Sequence, residues 1–167
     1  MQSLTALMEW LQAWPLAVFI HKTAWALTAL KVFHAGSIAL MIGSIAMVDL
    51  RLLGLASTKR SFTELARLVL PLTWFAYVLA AIAGSLLFIS NATEYFASPT
   101  FQIKMLIMAL AGINMLVFEL ITARDAQTWD LAPTPPMPAR LAGGISITCW
   151  ALVFILGRWT GFIVMTQ

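Results

Sequence analysis

Four stretches of about twenty apolar residues, each long enough to cross a bilayer, limit what this chain can fold into. They run from Ala24 to Val48, Leu68 to Ile89, Ile103 to Ala123 and Leu141 to Val164. Lipid offers backbone N–H and C=O groups no partner, so each stretch must satisfy its own, and a helix is the expected form. Composition agrees. With 61% hydrophobic and 10% charged residues among 167, a water-soluble domain of this size has no core large enough to hide its apolar surface. The spacing predicts an all-α membrane protein: a four-transmembrane-helix antiparallel bundle with short connections, occupying 23–167.

Ahead of the bundle, residues 1–22 read as an interfacial amphipathic helix. Leu4 to Ile20 is shorter than a span and carries Trp10, Trp14 and Pro15 among leucines, with Glu9 its one charge. No Lys or Arg occurs from Met1 to Glu9, so a cleaved signal peptide is not expected. Ser98-Pro99-Thr100 signals the start of the third span. Pro133-Thr134-Pro135-Pro136-Met137-Pro138 is a stiff stretch that cannot continue the helix before it.

Charge in the loops orients the chain. Arg51, Lys59, Arg60, Arg67, Arg124 and Arg140 flank the first and third connections, whereas the second has Glu94. The positive-inside rule places the basic loops in the cytoplasm and both termini outside, as expected of a multi-pass protein of a bacterial inner membrane. The net charge of +3 is explained by these loops, and nucleic acid is not implied as a partner. The single cysteine, Cys149, gives neither a disulfide framework nor a paired-cysteine metal motif.

His34 lies inside the first span, and an ionisable group at membrane depth persists mainly where it faces a bundle interior, a cofactor or water. At 1.5 Å per residue it stands about 22 Å above Asp49, and Arg158 stands about 26 Å above Leu141. Lys31 is one turn above His34, and Lys104 opens the third span from the same side. The four residues are therefore expected to form one positively charged, periplasm-facing pocket containing an imidazole. Simpler roles compete. Lys31 and Lys104 can snorkel, Arg158 with Trp159 can anchor at the interface, and His34 can bond a backbone carbonyl. His21 reads as a surface residue, and Met105, Met108 and Met115 as core filler. Gly36, Gly43, Gly112, Gly143, Gly144, Gly157 and Gly161 read as close-packing positions or as room for a flat macrocycle. Asp49 and Arg51 read as a structural ion pair or helix-end cap.

His34-Ala35-Gly36-Ser37 through Gly43 to Asp49-Leu50-Arg51-Leu52-Leu53-Gly54, then Phe101-Gln102-Ile103-Lys104 with Asn114, and finally Gly157-Arg158-Trp159, resemble an uncharacterised family of small bacterial four-helix inner-membrane proteins. More distantly, a histidine on the first helix and a lysine opening a later one are similar to the copper-resistance D membrane domain and the HemJ-type protoporphyrinogen oxidase. That resemblance implies tetrapyrrole or copper chemistry at His34, with Lys104 meeting an anionic group such as a propionate. The chain departs from the HemJ-type pattern late in the third span, where Phe118-Glu119 stands in place of a second histidine. His21 is about 20 Å of helix from His34 and is no substitute. One axial histidine, with methionine, an open position or a partner's ligand opposite, fits this chain better than a bis-histidine heme.

The expected function is binding of heme b or a related redox cofactor near the periplasmic face, as the membrane subunit of an electron-transfer complex. His34 would be the metal ligand, with Lys31, Lys104 and Arg158 neutralising carboxylates. No self-contained catalytic constellation is present, so an oxidoreductase role would be that of a subunit. Two alternatives stand beside it. One is a structural or accessory subunit whose cations bind lipid or a partner membrane or periplasmic protein, or that forms a homo-oligomer. The other is copper handling by His34 and methionines.

Overall fold

The computed structural model of the chain describes residues 2–165 and is helical throughout apart from its connections. Two short N-terminal helices, α1 (Gln2–Gln12) and α2 (Pro15–Lys22), precede α3 (Ala24–Leu52), α4 (Phe62–Ser90), the short α5 (Ala92–Ala97) and α6 (Pro99–Val117). A π-helical turn over Phe118–Thr122 and a 3-10 turn over Ala123–Asp125 lead to α7 (Ala126–Trp129), and α8 (Met137–Met165) closes the chain. Among the described residues, four helices are long and apolar enough to cross a membrane, Ala24–Leu52, Phe62–Ser90, Pro99–Trp129 and Met137–Gly161, and the bent pair Ser3–Gln12 and Pro15–Lys22 reaches that measure only when taken together. The protein is thus an integral, multi-pass, all-α membrane protein. Its helices exceed the apolar stretches because their ends continue past the hydrocarbon into polar residues.

The chain forms two helical hairpins, α3 with α4 and α6 with α8, joined where α3 packs on α8. Gly143 sets that seam. A Cβ there would lie 2.9 Å from both the Asp49 carbonyl oxygen and Leu52 Cβ, so only hydrogen lets the two backbones come this close. α4 and α6 have no comparable seam, and both line the interior cavities.

The end that carries the basic loops has the largest buried apolar cluster among the described residues. Val48, Leu52, Phe62, Leu65, Val69 and Trp129 form its buried core, with the Phe62 and Trp129 rings 5.1 Å apart. Arg51 is fully buried. Its Nε donates to the Arg60 carbonyl at 3.1 Å, and its Nη2 to those of Asp130 and Ala132 at 2.9 and 3.2 Å. Asp130 in turn caps α4, accepting from Thr63 N at 2.7 Å and from the Ser61 and Thr63 hydroxyls. Burial raises its carboxyl more than any one partner lowers it, but the bonds from Ser61 and Thr63 and the Arg51 charge together hold it below the usual range. Arg51 and Asp49 therefore do not form the expected pair with each other. Residues two apart on a helix point to different sides, and each finds its own partners.

The expected single interfacial helix is two helices meeting at 68°. Pro15 supplies no N–H and begins α2, with Trp14 extended before it. α1 packs on α5 and α4, and α2 on α4 and α3. Gln12 Oε1 accepts from Thr93 Oγ1 at 2.9 Å, tying the N-terminal segment to the α5 end of the bundle.

Candidate functional site

At the α5 end, a cavity of about 570 Å³ opens among all four long helices. Lys31 and His34 reach it from α3, Lys104 from α6 and Arg158 from α8. The structure thus brings the four sequence-derived residues to one space. Among the described residues no carboxylate lines it, so its charge is uncompensated by protein. Arg158 is exposed and stands at the mouth, while Lys31, His34 and Lys104 are half-buried.

His34 is positioned by α4. Its ring lies against the Ala80 backbone, and a Cβ added at Gly84 would be 2.9 Å from His34 Cε1. Gly84 is the position where close packing matters for this site, and a sequence scan of glycines near His34 or near the cations overlooks it. Its signal is its place among small residues, Ala80, Ala81, Ala83 and Ser85, on a helix otherwise built of large ones. The glycines nearer in sequence are less constrained: a Cβ at Gly36, Gly43, Gly112 or Gly161 would meet nothing within 4 Å. The Nδ1 of His34 is buried and has no hydrogen-bond partner, a costly condition that a ligand or a water would relieve.

Lys104 is held by its surroundings. Its stem passes Gly157 of α8, where a Cβ would stand 3.8 Å from Lys104 Cδ, and its ammonium lies 4.8 Å from the Phe101 ring centroid. Phe101 stacks on Phe88 at 5.4 Å and meets Tyr95 at 5.5 Å. Burial and the neighbouring Glu94 carboxylate push the Tyr95 hydroxyl above its ordinary value. These rings are part of the cavity wall, which is apolar and aromatic below a cationic mouth. His21 is exposed on α2. Met105 and Met108 line the His34 cavity, and Met115 lines a second one.

That second cavity, also about 570 Å³, lies toward the basic-loop end. Met41, Tyr77, Met108 and Trp150 line both. Asp49 is among its residues, 2% exposed, with Oδ2 accepting from Ser146 Oγ of α8 at 2.9 Å.

Comparison with protein-family models, curated proteins and solved structures returns no match for this chain. Fold and geometry define a class: a multi-pass helical membrane protein with a cationic, apolar-walled cavity at one end of its bundle.

Proposed function

We propose that this protein holds heme b, or a related anionic redox cofactor, in the cavity at the α5 end, as the membrane subunit of an electron-transfer complex. The observation that carries the reading is the meeting of an imidazole with an unpartnered buried nitrogen and three cations in one cavity without a carboxylate. Among the described residues no group of three His, Cys, Asp or Glu side chains could hold a metal ion. A site built from those four residue types is thus absent among the described residues, and copper handling would rest on His34 with Met105 and Met108. Heme brings four nitrogens of its own and asks the protein for one axial ligand, apolar room and charge compensation.

His34 would supply the axial ligand, its ring fixed by Gly84 and the Ala80 backbone. Lys31, Lys104 and Arg158 would meet the propionates, an arrangement worth most where the dielectric is low. Met105 and Met108 are the nearby residues of a type able to ligate opposite His34. When bound, heme would carry one electron at a time, and the protein's part is to seat it and keep its carboxylates charged.

The loop charges support a bacterial inner-membrane setting with this cavity on the periplasmic side. Reporter fusions after Arg60 and between Asp125 and Arg140 should read cytoplasmic, and one near Glu94 periplasmic. The deciding experiment is a visible spectrum of gently solubilised protein, oxidised and then reduced. A Soret band lost in His34→Ala and weakened in Lys104→Ala is the expected result. Colourless wild-type protein from heme-replete cells would remove the redox reading and leave a lipid- or partner-binding accessory subunit.

A further inference from the structure

The second cavity has the opposite character. Asp49 lines it, Glu119 stands exposed at its rim, and among the described residues no Lys, Arg or His contributes to its wall. Asp49 is almost fully buried. Ser146 engages Oδ2, which leaves Oδ1 without a donor among the described residues, and no cationic side chain acts on the carboxylate. A carboxylate in that position is costly unless a proton or a cation joins it.

The wall suggests which cation. Trp74, Tyr77 and Trp150 are among the residues that line this cavity, together with Phe62 and Phe118. Aromatic faces attract cations that have lost their water. The volume falls in the range of sites for small organic molecules, and it exceeds what a bare metal ion needs. The π-helical turn supplies Phe118 and Glu119 to the wall, and such turns inside helices are frequent at functional sites.

The geometry points to a binding site for a lipophilic organic cation in the cavity at the basic-loop end, with Asp49 as its counter-ion and the aromatic rings as its walls. This site uses neither His34 nor the three cations, although Met41, Tyr77, Met108 and Trp150 line both cavities.

The test is equilibrium dialysis of the full-length protein in detergent against labelled tetraphenylphosphonium. Saturable binding near one per chain is expected. Asp49→Asn, equal in size and uncharged, should weaken it about tenfold or more, the loss expected when a desolvated ionic contact goes. Gly112→Trp provides a second variant that leaves Asp49 intact. Gly112 lines the cavity and a Cβ there meets nothing within 4 Å, so the indole should fill the space and block binding. Tetraphenylborate, of like shape and opposite charge, should not compete, and His34→Ala should bind as wild type does. Wild-type protein that binds no tetraphenylphosphonium across the neutral pH range, or unchanged affinity in both Asp49→Asn and Gly112→Trp, would overturn the proposal. Loss of binding in His34→Ala would overturn it too, by moving the ligand to the other cavity. A missing Soret band would bear on the heme reading alone.

Discussion

At the basic-loop end, a buried arginine gives Nε and Nη2 to three carbonyls while its Nη1 has no partner among the described residues, and an aspartate caps the next helix. At the α5 end, three cations and an imidazole face a cavity with no carboxylate among the described residues. Arg51 at the first end is buried among carbonyls of its own chain, whereas the cations at the other end have no carboxylate beside them among the described residues. Both ends contain charge at or near membrane depth, so charge alone does not mark function. What separates Arg51 from Lys104 is whether the chain itself supplies partner groups: Arg51 donates to three carbonyls, and Lys104 meets an aromatic ring and a cavity without a carboxylate among the described residues.

The sharpest way to break this comparison is Arg51→Ala. Removing charged donors from three carbonyls should cost about 3 kcal/mol, read as a lower midpoint in detergent-mediated unfolding, with any Soret band of the remaining folded protein unchanged. Equal destabilisation by Lys104→Ala would erase the distinction, because that variant gives up one cation–π contact and some stem packing and should cost about 1 kcal/mol or less. Gly143→Val comes next. Its side chain would meet Asp49 backbone and Leu52 Cβ, neither of which can swing aside, and overpacking of this kind costs about 1–3 kcal/mol.

Gly84→Ala sharpens the other half of the contrast. Its methyl would displace the His34 ring, so cofactor retention should fall while the unfolding midpoint moves little. The smallest effect belongs to Asp130. Its folded-state carboxyl titrates below the ordinary aspartate value of about 3.9, so its stabilisation is complete above that value and fades as pH falls through the lower one. Asp130→Asn should remove this acid-side loss of stability and lower the neutral-pH midpoint slightly. A slope persisting in the variant would assign it to another group.

The four spans were legible because hydrocarbon thickness fixes how many apolar residues a helix needs. Depth along each helix was legible for the same reason, and it put Lys31, His34, Lys104 and Arg158 at one level. Direction around a helix was harder to read. Asp49 beside Arg51 suggested a local pair, although their two-residue spacing already argues that they diverge. Gly84 was invisible because its importance lies in a ring arriving from another helix. The π-helical turn at Phe118–Thr122 breaks no propensity rule and left no mark in the sequence. Pro15 was a signal available from the start, since proline commonly opens a helix and so divides the N-terminal segment.

The Arg51 contacts also bear on biogenesis. Its partners Asp130 and Ala132 lie 79 and 81 residues further along the chain, so they have yet to emerge when the first hairpin leaves the ribosome. Until the last connection is made, that hairpin carries an arginine whose final burial site does not exist. A nascent chain stalled or truncated before Asp130 would display a guanidinium with one of its three carbonyl partners, that of Arg60, at the basic-loop end of an otherwise finished hairpin. Cells that degrade incomplete membrane proteins would have a chemical difference by which to tell such a fragment from the mature bundle.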